Sequence, residues 1–479
     1  MRIKAHHGIA VLALMWNVHA AAQEAASPQA ASVPAQQGGY VDVLAGLAYT
    51  DNALQTSANR TSDGIGVAGF STDYLRTGNL SLSLLGNLER LEYLHHSFAG
   101  SFYGQFFGSG VFGKPTDLLQ WQLSDSFGEE MTDPLAAPTP LNLQTINYLT
   151  TGPLVHLHFG LTNRLTLFGN YTRTTYQRSP FDSQMYQGGA RFRHALAGES
   201  SVSLDASTSH TQYIESAAVR SYFAGASSYD IRQASIAYKG AFVRTEVLLR
   251  AGYNTIQYSG AHGHGAPLYE VRLSRQISPF STVYVDGQQT YSTNGQSLFS
   301  PGAQVNLQLG SPVNPGYAVA QPFNRRSADV GWLFSRARTS LSLTGAYGQD
   351  VYDQTGVATQ YNRREESVAA LIGRQLRPGM RVQLRVQGYW DRYSQLGAQT
   401  RREDAELTVS KRFVRTMIGF YVERVQQSGT PGTSGFLASS YHDDRVGVYV
   451  TYDLFGEHPM GPSVQGMPGM GMSAFMGGY

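Results

Sequence analysis

From Tyr40 to Phe455 the chain is a succession of segments in which apolar and polar residues alternate one by one. The last is the clearest. Val446, Val448, Val450, Tyr452 and Leu454 fall on one face, and Arg445, Gly447, Tyr449, Thr451 and Asp453 on the other. Period-two alternation marks a β-strand whose two faces meet different surroundings. Other segments repeat it. Val382, Leu384, Val386, Gly388 and Trp390 alternate with Arg381, Gln383, Arg385, Gln387, Tyr389 and Asp391. Leu407 and Val409 oppose Asp404, Glu406, Thr408 and Ser410, while Val247, Leu249, Ala251 and Tyr253 oppose Glu246, Arg250 and Asn254. Tyr269, Val271 and Leu273 oppose Glu270, Arg272 and Ser274.

The links between segments are of two kinds, and the kinds take turns. Short ones include Arg76-Thr77-Gly78-Asn79, Leu161-Thr162-Asn163-Arg164, Lys239-Gly240, Arg377-Pro378-Gly379 and Phe413-Val414-Arg415. Between them lie longer polar stretches such as Glu129 to Pro140, Ile214 to Ser227, Thr293 to Asn324, Tyr352 to Tyr361 and Gln426 to Ser440. A barrel in an outer membrane makes short periplasmic turns and longer extracellular loops in strict alternation. A soluble sandwich or propeller has strands nearer 5 to 6 residues and no such asymmetry. The pattern therefore predicts an all-β chain: a single transmembrane antiparallel β-barrel of about 20 strands, the range 18–22 reflecting two ambiguous stretches at 129–148 and 293–324. An even count puts both ends of the barrel on the periplasmic side, with Arg445 to Phe455 pairing with Tyr40 to Thr50.

Faces then acquire meanings. Arginine or lysine on a lipid face costs about 2 to 4 kcal/mol at the bilayer midplane, so charges in these strands must line the interior. The candidate pore-lining residues are Glu246, Arg250, Glu270, Arg272, Arg381, Gln383, Arg385, Gln387, Tyr389, Asp404 and Glu406. Trp332, Tyr347, Trp390 and Tyr452 suit the aromatic girdles of a membrane interface. Alternating strands in this number enclose a lumen wider than side chains alone fill. The stretch from Gln23 to Gly39 is too short for a plug domain, so a loop is expected to restrict the pore, with Thr293 to Asn324 the best candidate.

Composition agrees. Of 479 residues only 15% are charged, against about 25% for a typical soluble domain. Mean hydropathy is −0.26, and no apolar run past the N-terminus approaches the ~18 residues of a spanning helix. Tyrosine (29) and glycine (52) are abundant, which fits strands with one lipid face and one wet face. A net charge of +2 argues against nucleic acid as a partner, and the absence of cysteine excludes disulfides and thiolate chemistry.

At the N-terminus, Arg2 and Lys4 precede the apolar run Ile9 to Trp16, and Ala20-Ala21-Ala22 offers a cleavage site. This predicts a signal peptide over 1–22, export across the inner membrane and a Gram-negative outer-membrane location. An Ala/Ser/Pro/Gln leader over 23–39 and a Met- and Gly-rich tail over 456–479 flank the barrel at 40–455, and both read as disordered. The methionines of the tail are soft donors that suit Cu(I), but a disordered extension is the simpler reading, and no metal or cofactor is assigned.

Candidate chemistry is sparse. His95-His96-Ser97 sets imidazoles beside a hydroxyl at a strand end, with no acid in local register. His262-Gly263-His264 is a two-histidine loop, short of a metal set. Asp404 and Glu406 share a face beside Arg381 and Arg385, which suits charge balance better than acid–base catalysis. The reading is of a protein that is not an enzyme.

Two stretches carry resemblances. Arg445, Gly447, Val450 and Tyr452, with Phe455 beyond, resemble the C-terminal signal read by the outer-membrane barrel-assembly machinery, here displaced inward by the tail. Val43-Leu44-Ala45-Gly46-Leu47-Ala48-Tyr49-Thr50-Asp51-Asn52, with the architecture from about residue 40 to 455, resembles a family of outer-membrane β-barrel porins associated with exopolysaccharide biosynthesis and export systems. The resemblance implies passage of a polysaccharide chain across the outer membrane and a periplasmic export protein as partner. It assigns no residue roles, and the tail departs from the family's pattern. Residue chemistry alone leaves two further readings open: a diffusion porin for small solutes, and a barrel with no transport role, such as an adhesin, scaffold or enzyme.

Overall fold

The computed structural model describes residues 38–214, 228–259, 263–293, 316–317, 321–352, 360–430, 432 and 438–454. The signal peptide and tail read from the sequence lie outside these residues, as do Phe455, His262 and the leader up to 37. The last two residues of the leader, Gly38 and Gly39, are instead strand residues paired with Leu75 and Tyr74.

Twenty long antiparallel strands close on themselves. The first half comprises β1 (Gly38–Thr50), β2 (Asp63–Arg76), β3 (Leu80–Tyr93), β4 (Ser101–Phe112), β5 (Leu119–Met131), β6 (Leu143–Phe159), β7 (Asn163–Tyr176), β8 (Ser183–Ala195), β9 (Ser201–Tyr213) and β10 (Ser228–Phe242). It continues through β11 (Thr245–Tyr258), β12 (His264–Ser278) and β13 (Ser281–Ser292). The two-residue β14 (Gly316–Tyr317) is not one of the twenty and adds to the wall only as a short parallel pairing with β5. The barrel resumes with β15 (Phe323–Arg336), β16 (Thr339–Val351), β17 (Arg363–Arg377), β18 (Met380–Tyr393), β19 (Ala398–Arg412), β20 (Thr416–Thr430) and β21 (Tyr441–Asp453).

Every barrel strand pairs with its chain neighbours, and β13 pairs across the β14 excursion with β15. Closure is made by β1 on β21, from Asp42 opposite Asp453 to Thr50 opposite Arg445. The closing pair expected from alternation alone is the one observed. The links sort into the two kinds expected: 77–79, 160–162, 243–244, 337–338 and 378–379 are tight, while 51–62 and 132–142 are long. One turn is displaced: Lys239-Gly240, read as a turn, lies inside β10, where the ladder runs on through Gly240 opposite Val247, and the chain reverses at 243–244. The ambiguous stretch at 129–148 resolves into the end of β5, a loop and the start of β6.

Faces follow the period. In β21, Asp443, Arg445, Gly447, Thr451 and Asp453 are buried and Val446, Val448, Val450 and Tyr452 exposed. Val43, Leu47, Leu249, Val271, Leu384, Val386 and Leu407 belong to the same outward apolar belt. Such a surface is intolerable in water, whereas a closed ladder leaves no backbone group unpaired in hydrocarbon. The chain is an outer-membrane β-barrel whose outward belt meets lipid.

Two features of the wall bear on the interior. Tyr421 and Tyr449 lie flat over glycines of the adjacent strand: a Cβ on Gly447 would stand 2.4 Å from Tyr421, and one on Gly419 would stand 2.1 Å from Tyr449. In the other feature, β4 pairs with β5 only from Phe106 opposite Phe127 to Phe112 opposite Trp121, although each continues on its other side. Beyond that point Glu130 and Met131 pair in parallel with Gly316 and Tyr317 of β14.

Candidate functional site

The interior has two zones: a charged wall around its middle and an aromatic seat at the extracellular mouth.

The wall is built from inward residues of successive strands. Arg250 of β11 reaches Glu270 of β12 at 3.0 Å. Glu270 also meets Arg272 at 3.4 Å, and Arg272 reaches Asp286 of β13 at 2.6 Å. Further round, Arg385 of β18 pairs with Glu406 of β19 at 2.9 Å. Asp404 accepts from Gln387 at 3.0 Å and from Arg402 at 3.0 Å. Arg381 contacts the Ser340 hydroxyl at 3.4 Å. Gln383 and Tyr389 share the inward face of β18, and Glu246 lies at the turn end of β11, more open to water. Thus the structure brings together Arg250, Glu270 and Arg272, and separately Arg385, Gln387, Asp404 and Glu406.

Sequence reasoning missed the densest parts of this wall. Asp350 of β16 holds Arg325 of β15 at 3.1 Å and Arg363 of β17 at 2.9 Å, and Arg363 also meets Glu365 at 3.2 Å. Near the closing seam Arg445 pairs with Asp443 at 2.6 Å and lies 3.8 Å from Glu423. The Thr50 hydroxyl donates to Asp443 across the β1–β21 junction. Arg445 therefore serves a physical purpose beyond any role in assembly: it balances two buried carboxylates where the barrel closes. The alternation that exposed the β18 face was present in β15, β16 and β17 as well.

At the mouth, strand after strand carries an inward tyrosine at its extracellular end. Tyr213, Tyr229, Tyr258, Tyr352 and Tyr393 join Phe181, Phe323 and Ile256 in one buried cluster, with the half-buried Tyr176 packed against it. The rings meet tilted or edge-on: Tyr213 and Tyr229 have centroids 6.2 Å apart, Tyr229 and Tyr258 6.0 Å, and Phe323 and Tyr352 5.3 Å. The aromatics read as interfacial, Trp332, Tyr347, Trp390 and Tyr452, all lie on the outward phase of their strands. The six tyrosines of the mouth face the other way.

Leu135, 1% exposed, belongs to that cluster although it comes from the loop 132–142. The loop is folded around one side chain. Asn142 accepts from the Asp133 amide at 2.8 Å and donates to the Asp133 and Ala137 carbonyls at 2.8 and 3.1 Å. The Asp133 carboxylate accepts from the Leu135 amide at 2.9 Å. Arg178, from the next extracellular link, donates to the Leu141 carbonyl at 2.6 Å and the Pro140 carbonyl at 3.2 Å. The tip is tied at its far side by the Ser439 amide, which donates to the Leu135 carbonyl at 2.9 Å. A short loop thus spans from β5 to the link before β21.

The expected occluding segment, Thr293 to Asn324, lies largely outside the described residues. Among the described residues it is 132–142 that reaches in over the mouth, through Leu135 and its carbonyl contact with Ser439. The sequence signal was one leucine amid Asp, Pro and Thr, with an asparagine at the loop's end, too slight to separate from a surface link.

The histidine candidate is also corrected. An acid does stand beside His95-His96-Ser97: Asp63, buried at the start of β2. It accepts from the His95 amide at 2.8 Å, the His95 ring at 3.1 Å and the Ser97 amide at 3.1 Å. Its oxygens are spent on fixing the turn, and the His95 ring points to solvent, so the trio caps a loop. Among the described residues no group of three His, Cys, Asp or Glu is placed to hold a metal ion.

No family model matches the chain, and none of the curated proteins matches it. Among solved structures it is similar to the ferric enterobactin receptor PfeA of Pseudomonas aeruginosa, with 10% identity over 87% of this chain and 81% of that chain and a TM-score of 0.42. The FrpB iron transporter of Neisseria meningitidis shares 10% identity over 87% and 83%, at a TM-score of 0.44. The copper transporter OprC shares 11% over 87% and 80%, also at 0.44. Likeness at this level carries nothing about what the present chain transports.

Proposed function

We propose that the barrel is a channel that exports a polysaccharide across the outer membrane, with the loop 132–142 closing its extracellular mouth at rest. The observation that carries the reading is the pairing of lumen charges. Arg250, Arg272, Arg325, Arg363, Arg385 and Arg445 each have a carboxylate partner. Where they pair, these charges leave a wall rich in hydrogen-bonding groups with a weakened field; at the turn end of β7 and β8, by contrast, Arg164 stands opposite Arg193. Such a wall suits a polyhydroxylated chain that exchanges water for protein contacts, whereas an ion-selective pore keeps rings of one sign. The tyrosines at the mouth add faces on which sugar rings stack. The resemblance to porins associated with exopolysaccharide systems points the same way. Glu246, Arg250, Glu270, Arg272, Arg381, Gln383, Arg385, Gln387, Tyr389, Asp404 and Glu406 are then the pore-lining set, and a periplasmic export protein feeds the chain from the turn side.

Deletion of the gene in its native host, with secreted and cell-bound polymer measured, tests this directly. Loss of surface polymer with normal growth is expected. Unchanged polymer, together with ion conductance in a planar bilayer, would make the protein a diffusion porin. Unchanged polymer with no conductance, even after the loop is shortened, would leave a barrel without a transport role.

A further inference from the structure

The outward face of the extracellular rim carries charge as well as lipid-facing residues, and at several places that charge is paired. Arg90 pairs with Glu92 on β3, and Arg424 lies 3.8 Å from Asp444 across β20 and β21. One sector departs from this. Across β15 to β19 a single register row runs Arg326, Gln349, Arg364, Arg392, Gln399. Each arginine faces outward, because its chain neighbour faces the lumen. Arg325 and Arg363 hold Asp350, and Tyr393, beside Arg392, is buried in the mouth cluster. Arg326, Arg364 and Arg392 are all exposed.

The row one pleat nearer the membrane centre reads Ala328, Tyr347, Glu366, Trp390, Arg401. Arg364 stacks over Tyr347 at 5.0 Å and Arg401 over Trp390 at 5.9 Å. Arg364 also meets Glu366 at 2.8 Å, and Arg401 meets Glu403. Arg326 and Arg392 have no carboxylate partner among the described residues. Arg364 and Arg392 stand directly opposite each other, an arrangement of like charges that destabilises a strand pair. Four guanidiniums thus share two carboxylates, immediately above the aromatic girdle that marks the membrane interface.

We propose that this sector, Arg326, Arg364, Arg392 and Arg401, is a docking surface for the phosphates of a bis-phosphorylated glycolipid of the outer leaflet. The sector carries a surplus of positive charge, and phosphate monoesters, at about −1.5 to −2 each, supply the opposite sign and free the guanidiniums from their two carboxylates. Guanidiniums recognise phosphate through bidentate hydrogen bonds, and stacking on Tyr347 and Trp390 holds two of them ready. The opposed Arg364–Arg392 pair is tolerable because the partner supplies the missing anion.

The test uses the full chain in two environments: neutral detergent, and nanodiscs of phosphatidylcholine doped with a bis-phosphorylated lipid A or its dephosphorylated form. In neutral detergent Arg392→Gln removes a repulsion and should raise the unfolding temperature. With bis-phosphorylated glycolipid the same substitution should lower it relative to the parent. That reversal of sign is one that a merely structural role does not produce. Arg326→Gln, Arg364→Gln and Arg392→Gln combined should weaken glycolipid retention by about a hundredfold, at one decade or less per charge. Arg90→Gln, at a balanced site, should leave retention unchanged. Equal retention by the triple variant, an effect of equal sign in both environments, or equal stabilisation of the parent by the dephosphorylated lipid would overturn the proposal. Stabilisation by inorganic phosphate alone, equal to that by glycolipid, would overturn it in favour of a free-anion site.

Discussion

Replacing Leu135 by alanine is the most direct probe of the mouth. The side chain is 1% exposed and seated among tyrosines from opposite sides of the lumen. Truncating a leucine buried to this degree costs about 2 to 5 kcal/mol, the upper part of the range applying where the surroundings do not collapse into the gap. Here the seat is made of rings fixed at the ends of hydrogen-bonded strands, so collapse is limited, and about 3 kcal/mol is the working figure. The bonds at the loop's base survive the change, since the Asn142 hub and the Arg178 contacts involve neither Leu135 Cγ nor its methyls. The loss therefore falls on the position of the tip, not on the barrel. At about 1.4 kcal/mol per decade, the ratio of open to closed mouth should rise by roughly a hundredfold.

Single-channel recording of the full chain in a planar bilayer reads that ratio as open time. The chain contains no cysteine, so a chemical readout is available without background. Ala136→Cys alone, half-buried in the tip, should be labelled slowly by a membrane-impermeant thiol reagent, and adding Leu135→Ala should raise the rate in step with the open fraction. Leu135→Asp should go further, because a carboxylate in that seat has no counter-charge. Unchanged open time together with unchanged labelling in both variants would refute the idea that Leu135 holds the mouth closed. Slower labelling would refute it equally.

Other consequences follow from the same contacts. Asn142→Ala removes the hub that accepts from Asp133 and donates to two carbonyls; it should raise thiol labelling at Ala136→Cys at least as much as Leu135→Ala does, with the heat-modifiable gel shift of the barrel intact. Asp350→Asn leaves Arg325 and Arg363 with one less carboxylate in a wall where all three are largely buried; breaking a buried pair costs about 3 to 5 kcal/mol, so urea unfolding in lipid should move to lower concentration, and an unchanged midpoint would show the pairs to be hydrated and weak. Gly447→Val places methyls where the Tyr421 ring now lies; folding into lipid vesicles should slow or stop, and Tyr421→Ala in the same chain should restore much of it, whereas failure of that rescue would assign Gly447 to recognition by assembly machinery instead. Arg385→Gln with Glu406→Gln removes one lumen pair without leaving a lone charge, so polymer export should change little, in contrast to either single change.

The barrel was legible in the chain because its two strongest signals are local. Alternation follows from one face in lipid and one in water, and the alternation of link lengths from two membrane sides with different constraints. Both survive in a single sequence without any knowledge of partners in space. The lumen pairs were half legible: Arg385 and Glu406 stood out once adjacent strands were aligned by their turns, but Asp350 required the register of β15, β16 and β17 together. The mouth was not legible. Whether a tyrosine at a strand end faces lipid or lumen depends on a phase that one residue inverts, and Tyr389 and Tyr393 share a phase while Trp390 takes the other. Leu135 looked like any apolar residue in a polar link until the strands from β7 to β19 were closed into a ring around it.

That ring gives the closed state a particular character. The seal at the mouth is apolar, while the wall beneath it is wet and charge-paired, so the two zones respond to different forces. Ions and small solutes interact with the wall and have little grip on a buried leucine. A chain pushed from the periplasmic side does have one, because it brings bulk to the underside of the seat and replaces Leu135 against the tyrosine faces with sugar rings. Stacking on the same aromatics makes the exchange nearly even in free energy, whereas opening onto water would leave those faces bare. The mouth should therefore open in proportion to the chain beneath it. Adding oligosaccharide to the periplasmic side of the parent channel should lengthen its openings, adding it to the extracellular side should do so less, and Leu135→Ala should abolish the difference.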